Sequence, residues 1–178
     1  MAKIQANTMS IDEAKLFVAL LSLDKALLAQ SDAETKALYV RSRNALNKEK
    51  KFTLLSSDTQ QALVERIALL GDSGRDYLFQ RNYKTLDRIL DAGLMIDNKK
   101  SSTILTYVGR VLKRSKSTNL TTDQICGQSS QCYARVSNAL KAFAFWGYVK
   151  PHGTHAMYRE STFVDKLSKE TRWEWVSK

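Results

Sequence analysis

The sequence predicts a mainly α-helical protein: an N-terminal helical bundle, then a smaller three-helix unit that closes in a β-hairpin. Apolar residues recur at helical spacing along most of the chain. The same helix-start grammar, Ser at the N-cap with Glu or Gln three residues on, appears three times in the first 60 residues. After Gly147 the pattern changes to the alternation of a strand. Charge divides the chain at the same place. Of a net charge of +10 over 178 residues, Lys99 to Lys178 hold 14 Lys and Arg against 5 Asp and Glu, a balance of +9, whereas residues 1–98 hold 14 against 13. A near-neutral half joined to a strongly basic one implies a polyanion-binding module carried by a partner domain.

In the first half, Ser10-x-x-Glu13 opens a helix that places Leu16, Phe17, Leu20, Leu23, Leu27 and Leu28 on one face. Ser31-x-x-Glu34 opens a second, through Leu38, Tyr39 and Leu46, ending in the solvated run Lys48-Glu49-Lys50-Lys51. Ser57-x-x-Gln60 opens a third through Leu63, Val64, Ile67 and Leu70, closed by the turn composition Gly71-Asp72-Ser73-Gly74. A fourth is expected from about Arg75 to Ala92, with Gly93 as its C′ residue. The polar stretch Lys99-Lys100-Ser101-Ser102 is the expected boundary, giving domains at 1–98 and 99–178. The spacing of Leu86, Ile89, Gly93 and Leu94 also echoes residues 136–148, leaving open a degenerate second copy of the C-terminal unit near residues 60–98.

In the basic half, Ile104, Leu105, Val108, Val111 and Leu112 form one buried helix stripe, with Arg110, Lys113, Arg114 and Lys116 at its far end. Those cations suit either the negative pole of the helix or phosphate contact. Thr121 and Gln124 spell a capping box, with Leu120 and Ile125 as a hydrophobic staple, for a short helix that should fade near Gly127. Gln128-Ser129-Ser130 supplies turn residues. A longer helix then carries Val136, Leu140 and Phe143 on one side and stops at Gly147. Tyr148 and Val149 enter a strand, Pro151-His152-Gly153-Thr154 is expected to turn, and 155–159 to return as its partner strand. Trp173-Glu174-Trp175-Val176 alternates like a further strand, its indoles packed into the fold.

The Val136, Leu140, Phe143, Gly147 spacing, together with the offset from Ile125 to Val136, resembles the winged helix-turn-helix superfamily of DNA-binding regulators over residues 101–160. Ser129 and Gln131 stand where that pattern usually has apolar residues, and Phe145-Trp146 is bulkier than usual before the glycine, as a neighbouring helical domain packed there would require. The resemblance implies a recognition helix over 131–146 with Gln131, Tyr133, Arg135, Ser137, Asn138 and Lys141 facing outward. Arg135 and Asn138 suit base edges in the major groove, and Tyr133 and Lys141 suit the backbone. In the wing, Lys150, His152, Thr154, His155 and Arg159 would flank the duplex.

Other chemistries find little support. Cys126 and Cys132 are expected to be free thiols, and with His152 and His155 they match no common zinc spacing, so neither a metal nor another cofactor is expected. No phosphate-binding glycine loop, G-x-S-x-G or HExxH occurs, which argues against an enzyme. No signal sequence or membrane-length apolar run is read, and the expectation is a cytoplasmic protein without membrane contact. The expected function is a sequence-specific, double-stranded DNA-binding transcriptional regulator acting as a homodimer, with the N-terminal helices free for oligomerisation or a protein partner. The alternatives are a plasmid or phage replication or partition protein, and a winged-helix scaffold for an acidic protein.

Overall fold

The computed structural model describes residues 48, 50–70, 77–78, 82–152, 157–159, 163–166 and 168–176. The helices expected after Ser10 and Ser31, the turn at 71–74, the first residues of the expected fourth helix and the wing tip at 153–156 lie outside the described residues. The described part is mainly α-helical with a small three-stranded antiparallel sheet.

In the Lys48-to-Lys51 run, expected in solvent, Lys50 is exposed, but Lys48 and Lys51 are a correction. Residues 50–54 are helical, and Lys48 and Lys51 are both buried. Lys48 lies over the Tyr83 ring at 5.1 Å, while Lys51 reaches Asp87 at 2.6 Å and Asp91 at 2.9 Å. Long aliphatic stems let lysines cover apolar surface while their heads find partners.

Helix α1 (Ser57–Ala68) is capped by Ser56, one residue before the expected position, its Oγ accepting from the Thr59 N–H at 3.2 Å. A tertiary contact selects that register. The Asp97 carboxylate accepts from the Ser56 N–H (2.6 Å), the Ser56 hydroxyl (2.8 Å) and the Thr59 hydroxyl (2.6 Å). Partial burial pushes the Asp97 carboxyl up, but these hydrogen bonds and nearby Lys99 outweigh it and leave it below its ordinary value.

Helix α2 (Tyr83–Ile96) begins later and ends later than expected, and passes through Gly93 instead of stopping there. Its N-cap is Asn82, accepting from the Thr85 N–H. Its stop is Asn98, at φ 55°, with Lys99 N–H donating to Leu94 O and Asn98 N–H to Met95 O, the paired bonds of a Schellman ending. Gly93 serves close packing: a Cβ there would lie 3.0 Å from a Leu55 methyl and 3.3 Å from the Trp146 ring.

Helix α3 (Thr103–Arg114) buries Ile104, Leu105, Val108 and Leu112, the expected stripe. Strand β1 (Leu120–Thr121) leads into α4 (Thr122–Ser129), which has the expected Thr121–Gln124 capping box and runs past Gly127 to a second Schellman ending at Ser130, φ 54°. Ser129, at an otherwise apolar position, is buried because its hydroxyl donates to Ile125 O at 2.6 Å. Helix α5 (Tyr133–Phe145) ends on Gly147 at φ 77°, as expected, with Tyr148 N–H donating to Phe143 O and the two rings meeting edge to face at 6.4 Å.

The hairpin is the second correction. Strand β2 (Val149–His152) pairs antiparallel not with 157–159 but with β5 (Arg172–Trp175), which pairs on its other edge with β1. Between them, β3 (Met157–Arg159) and β4 (Phe163–Lys166) form a separate two-stranded hairpin. Trp173 decides the pairing. It is 1% exposed, and its indole N–H donates to Thr122 Oγ1 at 2.9 Å, locking β5 to the start of α4.

One continuous core joins Leu63 and Ile67 of α1, Ile89 and Leu94 of α2, Leu105 and Val108 of α3, Ile125, Val136 and Leu140, and Trp173. Trp146 stitches the two sides of the 98/99 position together. Its indole N–H donates to Ile89 O at 2.9 Å, and Arg66 lies over its ring while donating to Phe145 O at 2.8 Å.

Candidate nucleic-acid interface

Helix α5 has two unlike ends. Toward its C-terminus it is apolar almost all round, since Ala139, Ala142, Ala144, Phe145 and Trp146 supplement Leu140 and Phe143, and all are buried. A helix with apolar residues on every face is covered on every face. Helix α2 supplies the cover, its Thr85, Leu86, Ile89 and Leu90 being buried alongside.

That packing divides the residues expected to face a duplex. Ser137 and Lys141 are buried, Lys141 donating to the Tyr77 hydroxyl at 2.9 Å with its ammonium 5.3 Å from that ring's centre. Asn138 accepts from the Thr85 hydroxyl at 2.9 Å. Lys141 and Asn138 thus serve the contact with residues 77–96, Asn138 staying half-buried, and Ser137 is withdrawn from solvent. The expectation that they point outward is corrected by the fold. The signal was present in Ala139, Ala142 and Ala144, small apolar residues on the side assigned to solvent.

The first turn of α5 remains accessible. Arg135 is exposed, Gln131 and Tyr133 are half-buried, and burial together with nearby Cys126 pushes the Tyr133 phenol up. The N-cap, Cys132, makes no side-chain capping bond, so the positive pole of this helix opens to the surface. Gln131 lines two grooves. One, of about 420 Å³, continues along Arg135, Arg88, Lys100 and Thr103; the other, of about 370 Å³, runs along Tyr107, Arg110, Arg114 and Ser130.

The cations around these grooves differ in availability. Arg88 and Lys100 lie 3.1 and 3.8 Å from the buried Asp91 carboxylate, which also pairs with Lys51. Arg110, Lys113, Arg114 and Arg135 make no ion pair among the described residues. Arg110 and Arg114, which the sequence left between a helix-end role and phosphate contact, line the second of these grooves. The signal for them was the Tyr107, Arg110, Arg114 spacing, which puts all three on one exposed helix face.

Of the wing residues, Lys150 is exposed, and His152 is exposed and paired across the sheet with Glu174 at 2.6 Å. Thr154 and His155 lie outside the described residues; Arg159 is described only as backbone of β3. Among the described residues no helix is long and apolar enough to cross a membrane, and no three His, Cys, Asp or Glu side chains cluster as metal ligands do. Burial first, then Asp123 and Cys132, push the Cys126 thiol up, opposite to what a reactive thiolate needs.

Comparison with protein-family models, with curated proteins and with solved structures finds no match to this chain.

Proposed function

We propose that this chain is a winged helix-turn-helix protein that binds double-stranded DNA sequence-specifically as a regulator, meeting the duplex with the first turn of α5 and not with the length of that helix. The supporting observation is the exposed start of α5, carrying Gln131 and Arg135, set between two grooves with Arg110 and Arg114 on one side and Arg88 and Lys100 on the other. The element order supports the same reading: three helices, a strand before the second, and a sheet of order β1-β5-β2 closing behind them. Recognition helices contact base edges through their N-terminal residues, so covering the rest of α5 leaves that mode open. Arg135 is assigned to guanine O6 and N7, Gln131 to a base or phosphate, and Arg110, Arg114 and Lys150 to the backbone. Two copies on neighbouring half-sites would double the interface.

The test is fluorescence anisotropy on a duplex selected from random oligonucleotides, repeated over a range of salt. Arg135→Ala should cost about 1–3 kcal/mol on the selected duplex and little on a scrambled one. Arg110→Ala with Arg114→Ala should weaken both duplexes alike and flatten the log–log salt slope by about 0.9 per lost contact. Equal effects of the two variants on both duplexes would overturn the roles. Only weak, sequence-blind association would favour a scaffold for an acidic protein.

A further inference from the structure

On the side of α3 away from α4, a hollow of about 540 Å³ opens between α2, α3, α5 and β5. Its floor is apolar and aromatic: Leu105, Phe143, Tyr148 and Trp175, with Gly109 admitting close approach. Phe143, Tyr148 and Trp175 pack on one another at centroid distances of 5.9–6.4 Å, which holds the wall in shape without a ligand. The rim holds three cations, Arg110, Lys113 and Arg114, and among the described residues the lining contains no carboxylate. Lys113, an exposed residue, has its Nζ 5.5 Å from the centre of the Trp175 ring, above the aromatic floor.

We propose that this hollow binds a small amphipathic anion, a flat aromatic or aliphatic carboxylate whose body lies on Trp175 and Phe143 and whose carboxylate is taken by Lys113 and Arg110. The volume falls within the roughly 300–1,000 Å³ typical of small-molecule sites, and apolar walls with a few convergent polar groups are their usual composition. A second copy of this chain is a poor occupant, because a +10 chain would bring net positive charge to a cationic rim. Arg110 and Arg114 line both this hollow and the groove beside Gln131. An anion seated here therefore draws Arg110 away from phosphate and offsets the positive charge of Arg114 beside it, so the ligand should lower affinity for duplex. This second consequence rests on the DNA-binding reading; the pocket itself does not.

The probe is 2-naphthoate, titrated calorimetrically into the full chain without DNA, with 2-naphthylmethanol as its neutral analogue. Naphthoate should bind at least about tenfold more tightly than the alcohol, and Arg110→Glu with Lys113→Glu should abolish that preference. Thr106→Trp, which fills the hollow from α3, should remove binding of both. Equal binding of acid and alcohol, or unchanged binding to Thr106→Trp, overturns the site, as does sedimentation showing that the hollow is closed by self-association that naphthoate does not reverse. In the duplex assay, naphthoate should weaken the wild type several-fold and leave Thr106→Trp unaffected. Tight naphthoate binding without that loss overturns the coupling alone, and a chain that binds naphthoate but no duplex overturns the DNA reading while the pocket stands.

Discussion

Replacing Trp146 with Phe probes the contact that joins α2 to α5. The indole N–H donates to Ile89 O at 2.9 Å in a setting where Trp146 is 3% exposed, so Phe removes a buried neutral hydrogen bond, about 0.5–1.5 kcal/mol. The smaller ring also leaves unfilled space beside Gly93, whose α-carbon was left bare for the indole; at roughly 0.8 kcal/mol per buried methylene, one or two missing groups add about 1–1.5 kcal/mol. The sum, about 1.5–3 kcal/mol, is a large share of a typical domain's stability. Read as a shift of the urea midpoint with an unchanged slope, it should accompany a fall in Tm of roughly 3–12 °C for a chain of this size. Substitution of a fully buried Trp by Ala, about 3–5 kcal/mol, bounds the effect from above. A loss below about 0.5 kcal/mol would refute the view that α2 is docked on α5 through this residue, and with it the account of why Asn138 is held by Thr85.

Gly147→Ala forces a Cβ into the left-handed region at φ 77° and should cost about 1–2 kcal/mol in urea unfolding, whereas an equally tolerant Ala would mean that the α5 ending relaxes to another form. Because the Asp97 carboxyl is held below its ordinary value, the unfolded chain binds more protons there; its contribution is complete above about pH 4 and is lost as pH falls through the folded value. Asp97→Asn should therefore narrow the stability difference between pH 6 and pH 3, and an unchanged pH profile would count against the clamp on Ser56 and Thr59. Alkylation with iodoacetamide at pH 7.5, followed by mass mapping, should modify exposed Cys132 well before half-buried Cys126, whose thiol is pushed up by burial; the reverse order would contradict the packing of α4.

Local chemistry was legible where the chain settles its own hydrogen bonds. The Thr121–Gln124 box, the stripe on α3 and the glycine stop of α5 depend on residues within a few positions of one another, and the sequence carries all of them. What escaped it was set by distant partners. Ser56 displaced Ser57 as a cap because Asp97 waits 41 residues downstream. Gly93 resembled a helix stop until Trp146 gave it a packing role. The same blindness affected the site. Arg135 was read as exposed and is, while Asn138 and Lys141, on the same polar stripe, are held by Thr85 and Tyr77 from a helical region whose docking no short-range pattern announces. The hairpin failed for a related reason: Tyr148 and Val149 read as a strand with a turn starting at Pro151, but the strand runs on to His152 because its partner lies some 20 residues further on, beyond the β3–β4 hairpin.

The late position of β5 has a consequence for biogenesis. Neither outer strand pairs with the other; among the described residues each is zipped only to Arg172 through Trp175, so a nascent chain released from the ribosome up to His152 lacks that partner for both and has an empty slot where the indole of Trp173 belongs. Closure cannot precede the synthesis of Arg172 through Trp175, and loss of those few residues by nicking should disable the sheet while sparing every described helix in its primary structure.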